Sequence, residues 1–201
     1  FSEPPFDLST YSGRVKNLFS VFNPRNAFYS NSQIFKMQKE LQEMMKVESE
    51  MKATGKMLMM TQAEVNQIRK KQFVVASSIH PDTQQPIAWA WRLSAFIPTN
   101  LPIIFGMLLA KQTPVNTAFF QWINQTYNAG MNYGNRNASS NYTMNDIMKG
   151  YSAAVISSVG MGLGLKKLFY SMTKNLKGGA AIMVNSVLTY IAVGTAGALN
   201  S

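Results

Sequence analysis

The stretch LSAFIPTNLPIIFGMLLA, residues 93–110, contains 18 side chains and not one charge. As a helix rising about 1.5 Å per residue it would reach about 27 Å, close to the thickness of a bilayer's hydrocarbon. Three further uncharged runs follow it: 24 residues from 112 to 135, 16 from 150 to 165 and 24 from 178 to 201. A single run of 16 would suit a core helix of a soluble domain, but several in succession, punctuated by Lys or Arg, point to a membrane-embedded half. The charge balance divides the chain at the same place. Residues 1–91 carry 11 basic and 8 acidic side chains, whereas residues 92–201 carry 8 basic ones and a single acid, Asp146. These patterns predict an all-α integral membrane protein. Three to four membrane-embedded helices are expected in residues 92–201, preceded by an amphipathic, membrane-peripheral helical region over residues 1–91.

Several chemistries are excluded by composition. The 201 residues include no Cys and one His, His80. A disulfide framework, a thiolate metal site, a Cys nucleophile and a histidine-rich metal centre are therefore out, and neither metal nor cofactor is expected. No Gly-rich phosphate loop, no catalytic pair of carboxylates and no Ser/His/Asp set occurs, which argues against an enzyme. The net charge of +10 invites a nucleic-acid reading of Arg69-Lys70-Lys71. Three basic residues beside the apolar Phe73-Val74-Val75 are more economically a contact with anionic membrane lipid, and no nucleic acid is expected as a partner. The chain starts Phe1-Ser2-Glu3, without an initiator Met or a secretory layout, so a processed or incomplete chain is expected. Asn-x-Ser/Thr triplets at Asn124, Asn137 and Asn141 would matter only in a secreted protein.

In the first half, Ile34, Met37, Leu41, Met44, Met45 and Met51 recur at mostly three- and four-residue steps between Ser32 and Lys52. This predicts an amphipathic helix ended by Thr54-Gly55, its Met-rich face lying on a neighbouring helix, the bilayer surface or a partner subunit. Thr61-Gln62-Ala63-Glu64 has the spacing of a capping box, opening a second helix from Gln62 to about Ser77. His80-Pro81-Asp82-Thr83 reads as a rigid turn, in which Asp82 can bond its own backbone two residues on. A catalytic role for His80 would need a partner, and Asp82 is the sole candidate nearby.

Four ordered blocks give the chain a family resemblance. They are Asp7-Leu8-Ser9-Thr10-Tyr11-x-Gly13-Arg14; Asn23-Pro24-Arg25-Asn26; His80-Pro81-Asp82-Thr83; and Gln121-Trp122-Ile123-Asn124-Gln125-Thr126-Tyr127-Asn128, continuing to Asn132-Tyr133 and Asn135-Arg136. Together they resemble the sideroflexins. The resemblance implies a multi-pass protein of the mitochondrial inner membrane that transports serine and other small neutral amino acids. Two departures are visible: Gln84 stands where the family usually has Gly, and residues 191–197 replace an expected Pro-Leu-Met-Arg type of sequence. Sideroflexins continue well beyond the segment that ends at Ser201, so a C-terminally shortened member is expected.

The membrane half then offers candidate substrate contacts. Gln121, Asn124, Gln125, Asn128, Asn132 and Asn135 fall on one side of a helix at about 100° per residue. Amides offer donors and acceptors without a net charge, which suits a zwitterion, and they serve equally well as glue between helices. Pro98 and Pro102 are expected to kink or break the first apolar helix, with Asn100 between them as a further candidate ligand. Gly160-x-x-x-Gly164 is assigned to helix packing. Two functions follow. One is a carrier of serine-like amino acids working by alternating access, with Asn100, Gln121, Asn124, Gln125, Asn128 and Asn132 as substrate contacts. The other is a non-transporting subunit of a respiratory-chain or other inner-membrane complex, docked through its Met-rich helix and apolar faces.

Overall fold

The computed structural model describes residues 4–55, 59–136 and 143–199. Asn137 and Asn141, the second and third acceptor triplets, lie outside them. Eight α-helices make up the described residues: α1 (Tyr11–Val21), α2 (Asn31–Ala53), α3 (Gln62–Ser78), α4 (Phe96–Leu109), α5 (Pro114–Gly134), α6 (Met144–Leu168), the short α7 (Tyr170–Thr173) and α8 (Gly178–Leu199). Short 3₁₀ turns cover Pro24–Phe28, Trp89–Trp91 and Leu93–Ala95. Among the described residues the only β pairing is an isolated bridge between Ile79 and Pro86. The protein is all-helical, and its contacts cluster into two units, Phe1–Ile97 and Pro98–Ser201.

The helices begin where side-chain oxygens can accept the amides that a first turn leaves unpaired. Thr10, Ser30, Thr61, Thr113 and Thr143 each accept from the amide three residues on. Thr61 and Glu64 form the expected reciprocal box. Two more boxes, Ser30 with Gln33 and Thr143 with Asp146, have the same logic. Asp146, the one acid of the second half, thus closes a helix start. At the far end of α2, Thr54 caps and Gly55 takes φ +67, a left-handed conformation open to glycine at little cost.

In the first unit, α2 packs along α3. Ile34, Val74 and Ile79 form its buried cluster, with Tyr29, Met37 and Val75 packed against them. Of the Met-rich face, Met37 thus packs within the same chain, while Met45 is 52% exposed. Lys71 Nζ meets Glu40 Oε2 at 2.7 Å across this pair, and that hydrogen bond holds the Glu40 carboxyl below the usual range. Arg92, only 3% exposed, ties the end of the unit to its start. Its Nε donates to the Ile87 carbonyl at 3.1 Å, its Nη1 to the Tyr29 carbonyl at 2.9 Å and its Nη2 to Asn31 Oδ1.

The N-terminal motif of the first unit is a hook. The Asp7 carboxylate accepts from the Ser9 amide and hydroxyl, the Asp7 carbonyl accepts from the Thr10 hydroxyl, and Arg14 Nη1 reaches the Leu8 and Ser9 carbonyls. Gly13 is required because a Cβ there would stand 1.8 Å from the Asp7 carbonyl oxygen.

In the second unit α6 packs against both α5 and α8. α5, α6 and α8 span 21, 25 and 22 residues, about 31, 37 and 33 Å of helix. Among the described residues, one helix holds an 18-residue stretch apolar enough to cross a membrane, Gly178–Thr195 within α8. Only 11% of that stretch is buried within the chain, so most of its apolar surface awaits other surroundings. The segment Leu93–Leu109 is apolar but shorter. Freedom from charge is a broader criterion than hydropathy: α5 is diluted by its amides, and α6 carries Asp146, Lys149, Lys166 and Lys167.

The prolines do not break the helix. α4 runs unbroken from Phe96 to Leu109 through both Pro98 and Pro102. Pro98 sits in the first turn, where its missing amide proton has no helical acceptor to lose, and Pro102 alone removes a bond from the interior.

Candidate functional site

α5 carries its amides inward. Gln121, Asn124 and Gln125 are 2%, 5% and 5% exposed, buried well beyond what is usual for such residues. Asn124 is thereby also closed to glycosylation. The six candidate contacts do not share one site. Asn100 of α4 joins Asn124 and Asn128 of α5 in a cleft of about 550 Å³, whose third wall is Ser186, Val187, Thr189, Tyr190 and Val193 of α8. Gln125, Asn128 and Asn132 line a second cleft of about 320 Å³ with Arg136, Asp146 and Tyr151. Asn128 belongs to both. Gln121 stands apart, in a small cavity with Gln112, Thr117 and Lys166, where Lys166 Nζ donates to Gln112 Oε1 and, at 2.7 Å, to Thr117 Oγ1.

The larger cleft has a distinctive chemistry. None of its lining residues is charged. Asn100 Oδ1 and Asn124 Nδ2 are buried and have no hydrogen-bond partner. One is an acceptor and the other a donor, and leaving each unpaired costs about 1–3 kcal/mol. Thr189, 9% exposed, adds a hydroxyl. The α8 contribution was missed from sequence, although Ser186, Thr189 and Tyr190 follow one another at three- and four-residue steps from Ser186 in a largely apolar run, and that spacing is a detectable signal.

His80, Pro81, Asp82 and Thr83 form a turn in the first unit. His80 is 7% exposed, and its Nδ1 accepts from the amides of Asp82 at 3.2 Å and Thr83 at 3.3 Å. The imidazole, where the sequence suggested the Asp82 carboxylate, is thus the group that satisfies the turn's amides. Gln84 follows at φ +55, in the left-handed region where glycine is cheaper. Its side chain compensates: Gln84 Oε1 accepts from Gln38 Nε2 of α2 at 2.7 Å, and Gln84 Nε2 donates to the Pro81 carbonyl. Gln84→Ala should therefore lower stability by about 1–2 kcal/mol, since it keeps the strain and loses the bonds. Gln84→Gly should be nearly neutral, because relief of roughly 1 kcal/mol of strain offsets that loss. Denaturation midpoints in mild detergent read the difference.

A Cβ at Gly160 or Gly164 would meet nothing within 4 Å, so among the described residues neither is seated against another helix. Gly162 takes that role: its Cβ would lie 3.3 Å from Thr117 Cγ2 and 3.5 Å from Gln121 Cγ. Gly162→Leu is expected to destabilise the α5 and α6 pair by about 1–3 kcal/mol. Gly164→Leu should be close to neutral in the same thermal-unfolding assay.

Among the described residues no group of three His, Asp or Glu side chains gathers to hold a metal.

Comparison of the sequence with known proteins points to one family. The family model Sideroflexins matches residues 1–201, and the chain belongs to the sideroflexin family. Sideroflexin fsf1 of Schizosaccharomyces pombe is 30% identical over 195 residues, covering 97% of this chain and 56% of that protein. Human sideroflexin-5 is 31% identical over 172 residues, covering 86% and 48%. The sideroflexin of Dictyostelium discoideum is 34% identical over 167 residues, covering 81% and 48%. The chain therefore spans about half the length of the curated relatives it matches. No solved structure matches it.

Proposed function

We propose that the chain is a mitochondrial inner-membrane, multi-pass carrier of small neutral amino acids, with serine as the type substrate and the cleft of α4, α5 and α8 as its binding site. The observation that carries this is an uncharged cleft lined by the carboxamides of Asn100, Asn124 and Asn128. A zwitterion presents an ammonium, which donates, and a carboxylate, which accepts. Each carboxamide of the lining offers both an acceptor and donors to match them, and the Thr189 hydroxyl adds a partner for a substrate hydroxyl. The absence of charged residues from the lining disfavours acidic and basic amino acids, whose extra charge would be desolvated without a partner. Family membership supports a transport role, and three to four membrane-embedded helices, α8 with α4, α5 and α6, are part of the proposal.

Asn128 lines both clefts and so lies where substrate would pass from one to the other. Alternating access would then consist of opening one cleft while the other closes, with no covalent step. The competing reading, a subunit of a larger inner-membrane assembly, draws on the Met-rich helix and the exposed apolar faces as docking surfaces; Met37 is used within the chain, while Met45 is exposed.

The test is reconstitution of the purified chain into vesicles. Saturable uptake of labelled serine, competed by alanine and not by aspartate or lysine, is expected. A chain that inserts and shows no saturable uptake would favour the subunit reading.

A further inference from the structure

We propose that Arg25, Arg69 and Lys70 of the first unit form a binding site for a phosphate-bearing anion. The sequence grouped Arg69, Lys70 and Lys71 as one basic cluster, but folding separates them. Lys71 turns to Glu40 of α2. Arg69 and Lys70 line a cleft of about 470 Å³, and the third cation there is Arg25, brought in from the 3₁₀ turn Pro24–Phe28.

The cleft is rich in donors. Asn23 Oδ1 accepts from the Arg25 amide at 3.1 Å, and Asn66 Oδ1 accepts from Gln62 Nε2 at 3.1 Å. Both carboxamides line the cleft, and with their oxygens engaged their remaining capacity is to donate. The turn that carries Arg25 is built: Asn26, 5% exposed, donates from Nδ2 to the Ser20 carbonyl at 3.1 Å. None of the lining residues is acidic. Three cations and two amide donors around one space match a ligand with several acceptor oxygens and more than one negative charge, and a phosphate group is the common species of that kind. A nucleic-acid strand fits less well, because of the two rings of the lining Phe73 is already stacked on Phe6 at 6.2 Å and Tyr29 is packed against the Ile34, Val74 and Ile79 cluster.

The phosphate could be a soluble anion or the headgroup of an acidic lipid, and titration of the full chain in uncharged detergent separates the two. The probes are inorganic phosphate, phosphatidic acid dispersed in the same detergent, and phosphatidylcholine as the zwitterionic control, with heat of binding as the readout. Saturable binding of inorganic phosphate assigns a soluble anion, and binding of phosphatidic acid alone assigns a lipid headgroup. In either case Arg25→Gln with Arg69→Gln should weaken binding about tenfold or more. Lys39→Gln, on an exposed stretch of α2, should leave it unchanged. Should the double variant lose its helical signal, Lys70→Gln, an exposed position, must by itself weaken binding several-fold. The proposal is overturned if neither phosphate probe binds better than phosphatidylcholine, or if these substitutions weaken binding no more than Lys39→Gln does.

Discussion

Asn124→Leu is expected to reduce serine uptake by reconstituted vesicles about tenfold or more, while leaving thermal stability unchanged or slightly raised. The uptake half follows from the proposed site: Asn124 lines the uncharged cleft, and a hydrogen bond from its carboxamide to a charged group of the substrate is worth about 1.5–3 kcal/mol. The same substitution removes an unpaired buried donor, whose loss relieves the fold. An amide that merely glued helices together would give the opposite pair of results, normal uptake with a lowered midpoint. Asn128→Asp should also suppress uptake, because it adds a charge to a lining that has none in the larger cleft and the substrate itself is already neutral overall.

The largest loss of stability is expected from Arg92→Leu, roughly 3 kcal/mol or more. The guanidinium is buried and makes three hydrogen bonds, to the Tyr29 and Ile87 carbonyls and to Asn31 Oδ1. Its loss strands three acceptors, each costing about 1–3 kcal/mol if no water reaches it. It also releases the segment that holds the first unit's end to its start, where Trp89 Nε1 donates to the Ala27 carbonyl at 3.0 Å. Arg92→Lys should recover part of the loss, since an ammonium can reach one or two of these oxygens but lacks the planar fork. Limited proteolysis of the first 97 residues, compared with a chemical denaturation midpoint, measures both variants.

Local signals carried most of the architecture. The capping box at Thr61 and Glu64 marks the start of α3, and the spacing of Ile34, Leu41 and their Met neighbours gives the face of α2 that meets it. Both are readable because a cap or a helix face involves residues within a few positions of each other. The extent of membrane character was less legible. Uncharged runs marked the long helices of the second half, yet among the described residues only α8 holds an 18-residue stretch apolar enough to cross a membrane, because amides carry no charge and still lower hydropathy.

The site was half visible. The α5 amides announce themselves by spacing, but their division between two clefts and a small cavity depends on which helices pack against α5, and no local pattern encodes that. Gly160 and Gly164 show the same limit: the spacing suits close packing, while the helix rotation puts Gly162 against Thr117 and Gln121 instead. Arg25 is the clearest long-range case, since nothing near it in sequence predicts Arg69 and Lys70 as neighbours in one cleft.

The absence of cysteine from the chain makes substrate protection the most direct test of the amide cleft as a binding site. A single Asn128→Cys variant in vesicles, treated with a small maleimide, should be labelled more slowly as serine is added, with saturation. Aspartate and lysine should give no protection, and a control Ile156→Cys, on an exposed face of α6, should label at one rate throughout. Equal labelling of Asn128→Cys with and without serine, in a variant that remains folded, would contradict the account.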